Sequence, residues 1–70
     1  MNELYLVIEI QKVNEQISNI VTNHNTLQDA EHKFYTIVAA AAISTIEKHG
    51  AVLLNEDGFP LERIVFEHKE

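Results

Sequence analysis

The stretch ELYLVIEIQKVNEQISNIVT, residues 3–22, decides the fold class, because it can be read either as one long helix or as extended chain. Apolar residues recur along it at steps of four and three, the spacing that lines one face of a helix: Leu6, Ile10, Val13, Ile17 and Ile20. This spacing predicts a helix over residues 3–22. The alternative rests on residues 4–8, LYLVI, which favour strands and could pair with strands elsewhere in the chain.

Residues 22–26 follow with poor helix propensity, because their side chains compete for backbone hydrogen bonds, and they predict a loop. Thr26, with Asp29 three residues later, matches a capping box and predicts the start of a second helix at residue 27. His49 and Gly50 are typical of a helix end, where Gly can adopt the left-handed conformation. The second helix is therefore predicted over residues 27–49.

The remaining residues change periodicity and predict a β-hairpin over residues 51–67, with a turn at residues 55–58 that ends in Gly58. The predicted fold class is mainly α with a C-terminal β-hairpin (α+β). In this fold, residues 1–70 form a single domain in which an antiparallel helical hairpin precedes two short strands. Since a two-stranded hairpin is marginal in water, it should pack on the helices or pair with another copy.

A continuous helix in a parallel coiled coil is an alternative for the first two thirds of the chain. One heptad position stays apolar through the predicted loop, at Leu6, Val13, Ile20, Leu27, Phe34 and Ala41. The companion heptad position would bury His24 and Glu31, which costs stability. The helical hairpin is therefore favoured.

Seven consecutive apolar residues, Ile37 to Ile43, cover the whole circumference of the second helix and indicate burial on all sides. One partner helix and one hairpin cannot cover such a helix, so the sequence predicts a homo-oligomer, a dimer or higher. Its interface is predicted to consist of Phe34, Ile37, Val38, Ala40, Ala41 and Ile43. The simpler alternative is that alanine is frequent here because it is the best helix former.

Several chemistries find no support in the composition. The chain has no cysteine, and the four histidines (24, 32, 49 and 68) match no compact metal motif, so neither a metal nor another cofactor is predicted. Ser18 and Ser44 lie outside any nucleophile motif, and no enzyme class is indicated. A net charge of −6, with five scattered bases, disfavours nucleic acid as a partner. Charged residues interrupt the apolar runs, so neither a membrane span nor a secretion signal is expected, and the predicted location is cytoplasmic.

The predicted function is that of a small non-catalytic interaction or regulatory protein, homo-oligomeric, which acts by binding another macromolecule, most simply a protein. Its size is typical of accessory proteins that phages or mobile elements encode. The alternative is a protein that binds an anionic metabolite or nucleotide at the subunit interface. The residues predicted for that ligand are the few aromatic and basic groups of the chain: Tyr5, Lys33, Tyr35, Lys48 and Arg63.

Overall fold

The computed structural model describes residues 3–68, which form a four-stranded antiparallel sheet with one helix packed on one of its faces. Strands β1 (Tyr5–Val13) and β2 (Gln16–His24) precede helix α1 (Leu27–Ala42), and strands β3 (Lys48–Asn55) and β4 (Pro60–Glu67) follow it. The order across the sheet is β2-β1-β3-β4, so the two halves of the chain join at the β1–β3 pair in the centre.

The prediction of a mainly α fold with a helical hairpin is wrong, because residues 3–22 do not form a helix. They fall in β1 and β2, which pair antiparallel from Tyr5 opposite His24 to Val13 opposite Gln16. Eight of these twenty residues are β-branched, and such side chains lose rotamer freedom in a helix but pack well on a sheet. The alternative of one continuous helix fails for the same reason.

A two-residue turn joins β1 to β2, and its backbone explains the sharp reversal. Asn14 and Glu15 both have positive φ, at 51° and 68°, as in the type I′ turns that match the twist of paired strands. Asn tolerates this conformation, whereas a residue such as Glu enters it at a cost. The turn is therefore encoded by one favourable residue and closed by the pairing of its flanking strands.

Helix α1 begins where the capping pattern indicates but ends seven residues before the predicted position. The N-cap is Thr26, whose hydroxyl accepts a hydrogen bond from the Asp29 backbone N–H at 3.1 Å. The helix ends at Ala42, with Ile43 as C-cap, and not at residue 49. His49 and Gly50 lie instead inside β3, because β1 and β4 pair with opposite edges of the extended segment that contains them.

The core lies between α1 and the two central strands. Four helix residues at steps of four, three and four are buried on the sheet, and they are Ala30, Phe34, Ile37 and Ala41. They meet alternate residues of β1 and β3, which are Tyr5, Val7, Ala51 and Leu53. The buried positions thus have the helical period on one side and the strand period of two on the other.

Alanine exposure on α1 contradicts the expectation that this helix is buried all round. Ala39, Ala40 and Ala42 are exposed, and Ile43 retains 86% of its accessible surface. A single sheet covers only one side of a helix. Because an exposed alanine presents little apolar area, the outer side can consist of alanines at low cost.

Strands β3 and β4 pair antiparallel, but β3 also pairs with β1, so the two strands belong to a four-stranded sheet. The prediction had a hairpin over residues 51–67 that packs on two helices or pairs with another copy, and it did not include the pairing with β1. A register shift between Leu53 and Leu54 gives β4 an irregular start at Pro60. Gly50 is needed for close approach, not for a helix end. A Cβ there would lie 2.2 Å from the Ile64 carbonyl oxygen.

Candidate functional site

The sheet face opposite α1 is the candidate functional site, and we call it the open face. Side chains on a strand alternate between the two faces, so the neighbours of the buried Tyr5 and Val7 along β1 point away from the helix. Strand register extends this face across the sheet. Its apolar members are Leu6, Ile8, Ile10, Ile17, Val21, Val52, Leu54 and Val65.

Within residues 3–68, no element of the chain packs on the open face. Six of its eight apolar residues are half-buried by their neighbours in the sheet, and the two on the β2 edge, Ile17 and Val21, are 65% and 53% exposed. Strand β1 is therefore apolar on both faces, which is typical of a strand with a layer on each side. In the described chain only one of those layers is present.

Charge on the open face differs from that of the chain as a whole. Lys12, Lys48 and Arg63 belong to this face by register, and Glu67 is its one carboxylate. Lys48 is paired with Glu67 at 3.2 Å. Lys12 is paired with Glu47 in the preceding loop at 3.0 Å. In a chain of net charge −6, this face is depleted in acidic groups.

A second cluster of polar side chains lies where α1 ends above the sheet. His49 is 5% exposed, and its Nε2 lies 2.7 Å from Glu9 Oε2. Since a carboxylate can only accept, Nε2 carries the hydrogen and donates to Glu9. On the other side of the ring, Nδ1 lies 2.9 Å from Ser44 Oγ. Serine, histidine and glutamate are thus connected in one hydrogen-bonded chain.

Glu9 is held as a carboxylate in this chain. Burial raises the pKa of Glu9, but hydrogen bonds from His49 and Gln11, together with the charges of His49 and Lys33, outweigh it and hold the pKa below its ordinary value. The Gln11 side-chain amide donates to the same oxygen at 3.0 Å. The carboxylate therefore orients His49 in the way that a buried acid orients a catalytic histidine.

The surroundings of Ser44 favour a structural role for this cluster over nucleophilic catalysis. Acyl transfer needs N–H groups aimed at the developing oxyanion. Here the Ser44 backbone N–H is bonded to the Ala41 carbonyl oxygen at 3.3 Å, and the Ser44 hydroxyl donates to the same oxygen at 3.2 Å. The exposed carbonyls of a helix C-terminus repel negative charge. The cluster therefore fastens the end of α1 to β1 and β3.

His68, the residue after β4, binds the carbonyl end of α1. Its Nε2 donates to the Ala41 carbonyl oxygen at 2.8 Å, and its ring is stacked on Phe66 with centroids 6.2 Å apart. A histidine does therefore satisfy a free carbonyl at the end of α1. It comes from the residue after β4 and not from the helix itself.

Comparison with known proteins identifies no relative. The chain matches no family of known proteins, no curated protein and no solved structure.

Four of the six residues predicted for the oligomer interface pack inside the chain. Phe34 and Ala41 are fully buried against the sheet, and Ile37 is 6% exposed. Val38 packs on the edge of the same core. Ala40 and Ile43 are exposed and remain available to a second copy.

The five residues predicted for an anionic ligand do not converge. Tyr5 is buried under α1, and Tyr35, on α1, is 48% exposed, with its hydroxyl donating to Glu62 on β4. Lys33 is on α1, whereas Lys48 and Arg63 belong to the open face. The structure therefore separates these side chains onto different surfaces, and no observation favours a shared ligand.

Two further findings concern metals and membranes. No three histidine, aspartate or glutamate side chains in residues 3–68 are close enough together to hold a metal ion. In the same part of the chain, no helix combines the length and apolar character needed to cross a membrane.

Sequence reasoning missed the open face, although a signal for it was present. The runs from Leu6 to Ile8 and from Ala51 to Leu54 are apolar at consecutive positions, which is expected of strands buried on both faces. Glu9 and His49 are forty residues apart, and no sequence pattern connects them.

Proposed function

We propose that this chain is a small non-catalytic protein that acts through protein–protein contact, and that the open face binds the open face of a second copy. One observation carries the proposal: a continuous apolar sheet surface lies uncovered on the side opposite the helix. The function that the residues themselves predicted, a homo-oligomeric interaction protein, is retained. The surface assigned to it moves from the helix to the sheet.

The extent of the open face suits a dimer. Four strands about 4.8 Å apart and eight residues of about 3.3 Å each give a sheet area of roughly 500 Å². Two such faces bury about 1,000 Å² when they meet, which is the lower bound for a specific interface. Two sheets that pack face to face also make a core of the kind found in β-sandwiches.

Total surface area supports the same conclusion. The chain has an accessible surface of 5057 Å². A monomeric globular protein of its mass, 8.0 kDa, is expected to expose about 4,450 Å². The excess of about 600 Å² is similar in size to the open face. Covering that face would bring the exposed surface to the ordinary value for a chain of this length.

Charge explains why a second copy can approach by this face. Two copies of an acidic chain repel each other, but most carboxylates lie on α1, on the helix side of the sheet or at the turns. Both lysines of the open face are neutralised by ion pairs. The face is therefore where the repulsion between two copies is weakest and the apolar gain is largest.

The test compares two substitutions that place one charge on different surfaces. Ile8→Lys puts an ammonium group in the centre of the open face, whereas Ala40→Glu puts a carboxylate on the exposed side of α1. Sedimentation equilibrium over a wide concentration range should show that Ile8→Lys halves the mass of the assembly. Ala40→Glu should leave that mass unchanged, because its side chain remains in solvent.

Circular dichroism of both variants serves as the control for folding. Ile8→Thr, which keeps a β-branched side chain, replaces Ile8→Lys if the lysine variant does not fold. A wild-type protein that is monomeric at all concentrations would contradict the proposal. If Ala40→Glu dissociates the assembly and Ile8→Lys does not, the interface lies on α1, as the sequence alone suggested.

A further inference from the structure

Strand β2 is an outer strand of the sheet, and it carries none of the features that usually protect such an edge. In the described residues it pairs only with β1, so one row of its backbone N–H and C=O groups faces outward. Its sequence, QISNIVTNH, contains no charged residue and no proline over nine residues. Ile17, Ile20 and Val21 on it are each more than half exposed.

Strand β4, at the opposite edge, shows what a protected edge looks like in the same protein. It begins with Pro60, which cannot donate to a neighbouring strand, and a register shift distorts its pairing near that end. It also carries Glu62, Arg63 and Glu67. Proline, charge and irregularity are the devices that prevent edge-to-edge association, and all three are found on β4.

We propose that β2 is a strand-addition edge, and that its occupant is β2 of a second copy, paired antiparallel about a two-fold axis. This pairing joins two four-stranded sheets into one sheet of eight strands, with both helices on the same side. It goes beyond the function proposed above, because it uses the edge of the sheet and not the open face.

The sequence of β2 is complementary to itself in this arrangement. With full overlap, the axis passes through Ile20, which then lies opposite its own copy as a β-branched apolar pair. Ser18 comes opposite Thr22, a pair of hydroxyl side chains that can bond across strands. The remaining pairs are Gln16 with His24, Ile17 with Asn23, and Asn19 with Val21. Every pair is free of carboxylates and lysines, so the register contains no conflict of like charges.

The edge and the open face together predict a closed assembly of four chains. Each contact is self-complementary about its own two-fold axis: the edge axis is perpendicular to the sheet, and the open-face axis lies in the plane between the two sheets. When these perpendicular axes intersect, the two contacts generate a closed tetramer. Pairing through β2 also makes the open face continuous across two copies, which doubles the sheet area that a second pair of copies can cover.

A two-by-two set of substitutions tests the edge separately from the face. Ile20→Lys places two ammonium groups opposite each other at the proposed axis, but its side chain is on the helix side and away from the open face. Ile8→Lys removes the open-face contact. Ile64→Lys, on the helix side of β4, is the matched control at the protected edge. Sedimentation equilibrium gives the mass of each variant.

The expected masses are four chains for wild type, two chains for either Ile8→Lys or Ile20→Lys, and one chain for the double variant. Ile64→Lys should stay at four. In addition, alternate β2 amides should exchange slowly with solvent in Ile8→Lys and rapidly in the double variant.

Other results separate the two proposals. A single chain for Ile8→Lys, with fast exchange throughout β2, overturns strand addition and leaves the open-face dimer intact. Strand addition is upheld and the open-face dimer overturned if wild type and Ile8→Lys both have the mass of two chains and Ile20→Lys has the mass of one. Strand addition is also overturned if Ile20→Lys has the same mass as wild type, or if Ile64→Lys lowers the mass as much as Ile20→Lys does.

Discussion

Substitution to alanine should destabilise the protein at both of its glycines, but much more at Gly50 than at Gly58. Gly50 lies inside β3 and faces β4, where a Cβ would come within 2.2 Å of the Ile64 carbonyl oxygen and 2.4 Å of Val65 Cα. Both of these atoms belong to the backbone, so no side-chain rotation can relieve the contact. Gly58, in the turn, has a φ of +81° and nothing within 4 Å of the added Cβ.

The cost of Gly50→Ala follows from how far β4 must move. Cβ contacts shorter than 3.0 Å are essentially never seen, so the carbonyl oxygen at 2.2 Å has to retreat by about 0.8 Å. An inter-strand hydrogen bond of about 2.9 Å would then exceed 3.5 Å and be lost. Losing two such bonds, at about 1 kcal/mol each, together with the displaced packing of Val65, gives roughly 2–4 kcal/mol.

Urea denaturation followed by far-ultraviolet circular dichroism measures this cost. Wild type, Gly50→Ala and Gly58→Ala should be compared at one protein concentration, because association adds to apparent stability. Gly58→Ala should lose only about 1 kcal/mol, the cost of placing a Cβ at positive φ. A loss in Gly50→Ala within about 0.5 kcal/mol of that in Gly58→Ala would refute the close approach of β4 to β3.

Three further predictions concern single side chains. Glu15→Gly should raise the free energy of unfolding by roughly 0.5–1 kcal/mol, since Glu15 has a φ of 68° and glycine adopts this conformation without strain. A melting temperature that does not rise in this variant would contradict a type I′ turn. The folded pKa of Glu9 lies below its ordinary value of 4.5, so its contribution to stability is complete above that pH and is lost as the pH falls through the lower folded value. The difference in melting temperature between wild type and Glu9→Gln should therefore shrink on acidification, and a constant difference argues against the His49 contact. The hydrogen bond to Glu62, with burial and the Glu62 and Glu31 charges, raises the pKa of Tyr35 above 10.0. The substitution Glu62→Gln should lower the pKa of Tyr35, which ultraviolet titration measures. The pKa of Tyr5, which is raised chiefly by the hydrogen bond to Glu3, should not change and serves as the internal reference.

Only part of the candidate site could be predicted from the amino-acid sequence. The excess of apolar residues over what seventy residues can bury was visible, and it motivated the prediction of self-association. Residues 3–22 were assigned to a helix because β1 is apolar at consecutive positions, which obscures the alternation of a strand and leaves a spacing that also fits a helix. The hydrogen bonds that connect Glu9, His49 and Ser44 could not be predicted from the sequence, because they depend on β1 and β3 becoming neighbours.

Local chemistry alone determined where α1 begins, because the Thr26 hydroxyl and the Asp29 N–H are three residues apart and meet within one turn. Composition alone shows that these 70 residues contain no cysteine thiol. Tertiary structure alone decided the secondary structure of residues 3–22 and of His49 and Gly50. The β-branched residues of 3–22 favour strands whereas the apolar spacing of the same segment fits a helix, and a strand is stable only when partners from distant parts of the chain supply its hydrogen bonds and cover its faces. Because β3 pairs with the edge of β1 that β2 leaves open, residues about forty positions apart become neighbours, and β1 becomes a central strand of the sheet.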